Sequence, residues 1–335
     1  MPLRVRLSSQ LFVVTAMLML SPPLLPAQKL GGCPAIPSSP PDISLNLSLN
    51  GGQAVFQEGE IIALTVRYTT KTKGKFLLNN RGYDRSGRLD GMEVFCIEPE
   101  GGKDPLADYF NAYRAFMGGG LFSNQDLSRS PAIKIELNEW RSLPPGSYSV
   151  SVIGNRASVG TEKEWKSWNG AAIPLRSNPV AFRVERADPR WQTAQLAVAV
   201  RLLDSPRSAE NEKKHAARVL RFLGSEDATR ELVRRYLAGP RENSWDNEAG
   251  LFGSPFRATA IREMRAALRT ARGQVREDFV DTLVTLELQS DIRFRPPRFD
   301  PKTKDIGDSG FDAYDSEHKR RVAKYMAEAT AGKFR

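Results

Sequence analysis

The residue types that most often do chemistry are sparse in this sequence and form no recognisable pattern. The two histidines, His215 and His318, have no second ligand at the spacing of a metal site. There is no Gly-x-Ser-x-Gly nucleophile turn and no phosphate-binding glycine loop. The sequence therefore favours a non-catalytic protein. A hydrolase built from carboxylates at a domain interface stays open, because such sites have no fixed local spacing.

Four aspartates near the C-terminus offer the oxygen ligands that calcium prefers. They are Asp305, Asp308, Asp312 and Asp315. Their spacing does not match an EF-hand loop, and charged runs of this kind are typical of solvated linkers. The sequence predicts an acidic linker here and gives no sign of a metal or other cofactor.

Two long connections rich in aromatic residues are the stronger candidates for a binding surface. Residues 99–130 and 154–178 exceed the length of ordinary hairpin loops. Aromatic rings beside Lys, Ser and Asn are typical of binding hot spots and of sugar platforms. The candidate partner-binding residues here and in the basic turn 69–74 are Trp165, Trp168, Asn169, Tyr109, Tyr113, Lys71 and Lys73. Alternatively, the rings of residues 99–130 pack inward on the sheet or on the helical part.

The N-terminus has the order of a secretory signal peptide. Arg4 and Arg6 precede an apolar run from Leu11 to Leu25, and small residues follow. The run is too short to span a bilayer as a helix. We therefore exclude residues 1–27 from the fold and expect an exported protein, periplasmic or secreted.

The chain has two cysteines, Cys33 and Cys96. Export permits a disulfide between them, which would fix the proline-rich leader, residues 28–41, on the folded part. The residues Leu-Gly-Gly before Cys33 resemble a bacterial lipobox, in which the cysteine would carry a lipid, although Lys29 stands where that signal has an apolar residue. A bridge, a lipid anchor and two free thiols are the alternatives.

The clearest strand pattern follows a Leu-Pro-Pro-Gly corner at residues 143–146. Tyr148, Val150 and Val152 alternate with serines, as in a strand with one wet face. Further strands are predicted at 43–49, 62–68, 75–79, 92–98, 133–137 and 180–184.

A tyrosine just inside a strand that follows such a corner resembles the E-to-F corner of immunoglobulin-like sandwiches, where its hydroxyl bonds back to the chain. The resemblance covers residues 42–186 and implies an all-β, seven-strand immunoglobulin-like sandwich. It also implies that the loops 69–74, 99–130 and 154–178 share one end, away from the domain that follows.

The hydrophobic period changes to that of helices after residue 187. Helices are predicted at 192–204, 209–223, 225–238, 256–271, 275–289 and 316–331. Residues 216–224 and 259–268, each followed by a second helix, resemble HEAT repeat units at an offset of about 43 residues. The resemblance implies a small HEAT-like α-helical array at 187–292, followed by an extended arm and a C-terminal helix at 293–335. An unrelated helical bundle is the alternative.

The length of the chain bears on the number of domains, and its charge bears on the class of partner. The 335 residues exceed what one core usually organises, and the net charge of +10 is dispersed among acidic residues, unlike the basic face of a nucleic-acid binder. We expect an exported bacterial two-domain protein that binds or scaffolds a protein partner in the cell envelope. The alternative is a carbohydrate-binding or hydrolase-accessory module using Trp165 and Trp168. The membrane would be a partner only if Cys33 were lipidated.

Overall fold

The protein has a sheet-rich N-terminal region and a helical C-terminal region. The computed structural model describes residues 33–36, 39–80, 91–111, 124–130, 132–160, 171–238, 244–271, 275–291, 293–294 and 308–334. The predicted signal peptide lies outside these residues.

The sheet-rich region contains two sheets. Its strands within the described residues are β1 (Ile43–Leu49), β2 (Val55–Gln57), β3 (Ala63–Thr70), β4 (Phe76–Asn79), β5 (Glu93–Glu98), β6 (Asn124–Asp126), β7 (Ile133–Glu136), β8 (Gly146–Val159), β9 (Ala172–Arg176) and β10 (Val180–Glu185). The smaller sheet has the order β1-β3-β7. The larger has the path β2-β10-β8-β4-β6, with β5 and β9 also paired to β8. The larger sheet is mixed, because β2 runs parallel to β10.

Strand β8 is the central and longest strand of the larger sheet. It has 14 residues and spans roughly 45 Å at the usual rise per residue. Along one edge, β10 pairs with residues 146–150 and β9 with residues 153–158. Along the other, β5 pairs with residues 149–154 and β4 with residues 157–159. Thus β4 and β5 form one interrupted strand beside β8, and β9 and β10 form another.

The two ends of β8 have different neighbours. At its start, Gly146 lies opposite Val184, and β10 leads from there into the helices. We call this the joint end. At its finish, Val159 lies opposite Phe76, next to the turn between β3 and β4. We call this the free end.

The corner before β8 has the hydrogen bond that its resemblance to the E-to-F corner implies. The hydroxyl of Tyr148 donates to the carbonyl oxygen of Pro144 at 2.8 Å. The tyrosine ring packs in the core between the sheets, 5.8 Å from the ring of Phe182. Alternate residues Val150 and Val152 point into the same core and are fully buried. Period-2 alternation thus places one face of β8 in the core, as expected for a strand with one wet face.

A buried ion pair holds the interruption between β4 and β5. Arg156 on β8 donates through Nη2 to Oε2 of Glu93 at 3.1 Å, and a second contact joins its Nε to Oε1. Its Nη1 also donates to the carbonyl oxygen of Asn79, at the end of β4, at 3.2 Å. Both charged side chains are almost fully buried, so each offsets the free-energy cost of burying the other charge. The pair fastens the ends of both strand pieces to β8.

A disulfide between Cys33 and Cys96 fixes the leader on β5, as predicted, with the Cα atoms 5.4 Å apart. Arg176 on β9 adds a hydrogen bond to the carbonyl oxygen of Pro34 at 2.9 Å. A sulfur atom in a disulfide cannot also carry a thioether-linked lipid, so this state excludes the lipid anchor at Cys33. Disulfides of this kind are typical of oxidising compartments outside the cytoplasm.

The helical region has one almost completely buried helix. The helices in the described residues are α1 (Ala107–Asn111), α2 (Pro189–Asp204), α3 (Glu210–Phe222), α4 (Glu226–Ala238), α5 (Ser244–Gly253), α6 (Arg257–Thr270), α7 (Glu277–Ser290) and α8 (Asp308–Thr330). Between Phe279 and Gln289, all residues of α7 except Asp281 are buried. Helix α8 packs along α7. Among the described helices, none is both long enough and apolar enough to cross a bilayer.

The structure differs from the predicted elements in identifiable places. The short strands β2, β6 and β9 were not predicted, and residues 154–159 belong to β8 rather than to a loop. Helix α5 was also missed; it packs against both α3 and α4. Three of the four C-terminal aspartates, Asp308, Asp312 and Asp315, lie in α8 rather than in a linker.

We expect Tyr148→Phe to lower the free energy of unfolding by about 1 kcal/mol, because it removes one hydrogen bond and keeps the ring. Urea unfolding followed by circular dichroism measures this loss. Ser147→Ala, at the exposed neighbouring position, is the control and should change little. Equal stability of Tyr148→Phe and Ser147→Ala would contradict a stabilising corner.

Candidate functional site

The free end brings together two of the segments predicted to bind a partner. Gly160, just after β8, donates its N–H to the carbonyl oxygen of Lys75 at 3.1 Å. The turn before Lys75 carries Lys71 and Lys73, both exposed. The side chain of Val159 is 62% exposed at the same end. The free end therefore combines two cations with an exposed apolar side chain.

The predicted binding residues of the next connection fall outside the described residues. These are Trp165, Trp168 and Asn169; Tyr113 of the earlier connection also lies outside. The strands β8 and β9 that flank residues 161–170 pair with each other up to Ser158 and Ala172. Gly160, before this connection, and Ala172, after it, therefore lie at the free end.

Tyr109 lies in the helical core instead of on a binding surface. It is 5% exposed, and its ring packs edge-to-face on Phe252 at 5.5 Å and on Trp245 at 6.4 Å. The reason is the direction of β5, whose last residue, Glu98, lies opposite Ser149 near the joint end. The connection 99–130 thus starts beside the helices, and the expectation that all three loops share one end was wrong for its first part.

A second candidate site lies where the two regions meet. We call it the joint, and it consists of Glu136 on β7, Glu139 in the turn after β7, Arg218 and Arg221 on α3, and Asp246 on α5. Helical spacing puts Arg218 and Arg221 on one face of α3, toward the sheet region. The short turn Leu137–Glu139 turns both glutamates toward that face.

Arg221 and Glu139 form the tightest contact of the joint. Nη1 of Arg221 donates to Oε1 of Glu139 at 2.9 Å, and Nη2 donates to Oε2 at 2.7 Å. The two side chains are 2% and 6% exposed, which places this two-point pair in the interior. The guanidinium also lies over the ring of Trp245 at 4.5 Å. Both oxygens of Glu139 are thus engaged, and Arg221 links the sheet region to two helices.

Glu136 has weaker contacts than Glu139. Its Oε2 lies 3.3 Å from Nε of Arg218, but among the described residues neither atom has a partner with hydrogen-bond geometry. Burial raises the pKa of Glu136 to about 7; Arg218 opposes the shift, and Glu139 adds to it. Burial also raises the pKa of Asp246, with Arg221 opposing. The joint can therefore bind and release a proton near neutral pH.

The two histidines do not belong to a common site. His215 is exposed on α3, and partial burial with Arg218 nearby lowers its pKa. Nε2 of His318 lies 3.2 Å from Oδ1 of Asp281 and 3.1 Å from Oγ1 of Thr285, between α7 and α8. No group of three or more His, Cys, Asp or Glu in the described chain could hold a metal ion.

Sequence reasoning missed the members of the joint because they are far apart in the chain. Glu139 and Arg221 are 82 residues apart, and each sits in an ordinary amphipathic segment. The sequence leaves open only the general possibility of carboxylates at a domain interface, and it does not indicate which residues they are.

The chain matches no family model, curated protein or solved structure with which it was compared.

We expect Arg221→Met to lower the free energy of unfolding by about 3–5 kcal/mol, because it leaves the buried Glu139 without a counter-charge. Adding Glu139→Gln should restore part of the loss, and urea unfolding of both variants measures it.

The control is Arg230→Met, which removes a surface arginine that pairs with Glu226 where both side chains are over 40% exposed. It should cost less than 1 kcal/mol. If Arg221→Met cost no more than Arg230→Met, the joint would not stabilise the fold.

Proposed function

We propose that this is an exported protein of a bacterial cell envelope that binds or scaffolds a protein partner without catalysis, and that the free end is its binding surface. The observation that carries the proposal is the meeting of the Lys71–Lys73 turn with the stems of the connection 161–170. These segments have the cations and the tryptophans expected of a binding hot spot.

Two features of the molecule support this choice of surface. The free end lies at the far end of β8 from the joint end, where β10 leads into the helices. The strands beneath it are held by the Arg156–Glu93 pair and by β8 itself, so the loops would sit on a rigid base. Binding loops on a rigid scaffold are a common arrangement. The disulfide supports a location outside the cytoplasm.

The proposal extends to the fold class. We propose that residues 42–186 form an immunoglobulin-like sandwich. In support, β1, β3 and β7 form one sheet, β10, β8 and β4 are neighbours in the other, and Tyr148 has the corner hydrogen bond. For residues 187–292 we propose a HEAT-like array in which α3 with α4 and α6 with α7 are the two units. Helix α5 is an insertion between the first pair and the second.

We expect affinity capture from a native envelope fraction to recover a protein partner with the wild-type chain. Trp165→Ala/Trp168→Ala and, separately, Lys71→Ala/Lys73→Ala should each lose most of the captured protein while keeping wild-type thermal stability. Lys213→Ala/Lys214→Ala on α3 is the matched control for charge and should keep the partner.

A glycan array with the same four proteins distinguishes the carbohydrate alternative. If glycans bind in a way that depends on the two tryptophans and no protein is captured, the ligand is a carbohydrate and not a protein. If both loop variants still captured the protein partner, the free end would not be the binding surface.

A further inference from the structure

The joint contains more acidic than basic groups, drawn from both regions. With every carboxyl group ionised, Glu136, Glu139 and Asp246 oppose Arg218 and Arg221, which leaves one negative charge in excess. His215 and Lys214 are further titratable groups on the same part of α3. His215 is exposed, and its lowered pKa disfavours the charged imidazolium; Lys214 is exposed and its Nζ lies 3.5 Å from Oε1 of Glu210, so neither supplies the missing positive charge.

The contacts show which carboxylate can be neutralised while the tight Arg221–Glu139 pair is kept. Glu139 uses both oxygens on Arg221, and its protonation would break the two-point pair. Asp246 and Glu136 are each 19% exposed, but Asp246 lies 3.6 Å from Nη1 of the same Arg221, whereas Glu136 has a separate contact, with Nε of Arg218 at 3.3 Å. A proton from solvent can therefore reach Glu136, and adding it leaves the Arg221–Glu139 pair in place.

We propose that the joint is an acid-tightened contact, in which uptake of one proton by Glu136 balances the buried charges and holds the sheet region and the helical region more firmly together. Release of the proton leaves an ionised, poorly solvated carboxylate at the contact and loosens it. For an exported protein, as proposed above, the surrounding medium would set this state.

The direction of the effect follows from linkage. In the closed joint, burial raises the pKa of Glu136 to about 7, against an ordinary value of 4.5 for a solvated glutamate. Below pH 4.5 the group is protonated whether the joint is closed or open. Between pH 4.5 and 7 the open form loses the proton and the closed form keeps it, so closure becomes less favourable as pH rises. Above pH 7 the loss levels off.

Hydrogen exchange of the full-length oxidised protein tests the proposal at pH 6 and pH 8, with rates normalised to the intrinsic rate at each pH. Peptides covering residues 136–141 and 218–223 should lose roughly ten-fold in protection from pH 6 to pH 8. The peptide containing β4, at the free end, should not change and serves as the internal reference.

Glu136→Gln, which mimics the protonated group, should keep high protection at both pH values. Glu210→Gln, on the exposed start of α3, should behave as the wild type. Arg218→Gln provides a second, independent test, because removing a cation that lowers the pKa of Glu136 should move the transition to higher pH.

The proposal would be overturned by protection that does not depend on pH in the wild type, or by an unchanged pH dependence in Glu136→Gln. If Glu136→Gln does not fold, an unshifted midpoint in Arg218→Gln would overturn it equally. Because binding at the free end is tested with other residues, failure of one proposal leaves the other standing.

Discussion

The structure depends on a buried pair of charges, Arg221 with Glu139, that neither region could bury alone. An isolated ion in the protein interior costs several kcal/mol, and only a partner with matched geometry offsets that cost. Glu139 belongs to the sheet region and Arg221 to α3, so separating the two regions would leave both side chains without their ion-pair partner. The same contact orders the rest of the joint around Trp245, Asp246 and Glu136.

The long strand β8 explains why the protein has two surfaces of different character. Because β8 carries paired strands on both sides of the interruption at residues 155–156, the joint end and the free end lie at opposite ends of one strand. Buried charges dominate at one end and exposed lysines at the other. A change in the joint, such as the proposed proton binding by Glu136, therefore need not disturb the free end.

Local patterns predicted the elements better than their arrangement. The alternation around Tyr148, the corner before it and the cysteine pair were readable from the sequence, because each is a local or compositional signal. The continuation of β8 beyond Gly154 was missed, since its small and polar residues there do not alternate cleanly. The burial of Tyr109 and the pairing of Glu139 with Arg221 depend on contacts between distant segments, which no local pattern encodes.

The most direct test of the central claim, that the joint makes the two regions one cooperative body, is pulsed hydrogen exchange of the oxidised protein across a urea series. Peptides from β8 and from α7 report on the two cores separately. A shared unfolding midpoint for both sets of peptides is the predicted result. Two separate midpoints, with α7 unfolded while β8 is still protected or the reverse, would show that the regions fold independently and that the joint does not couple them.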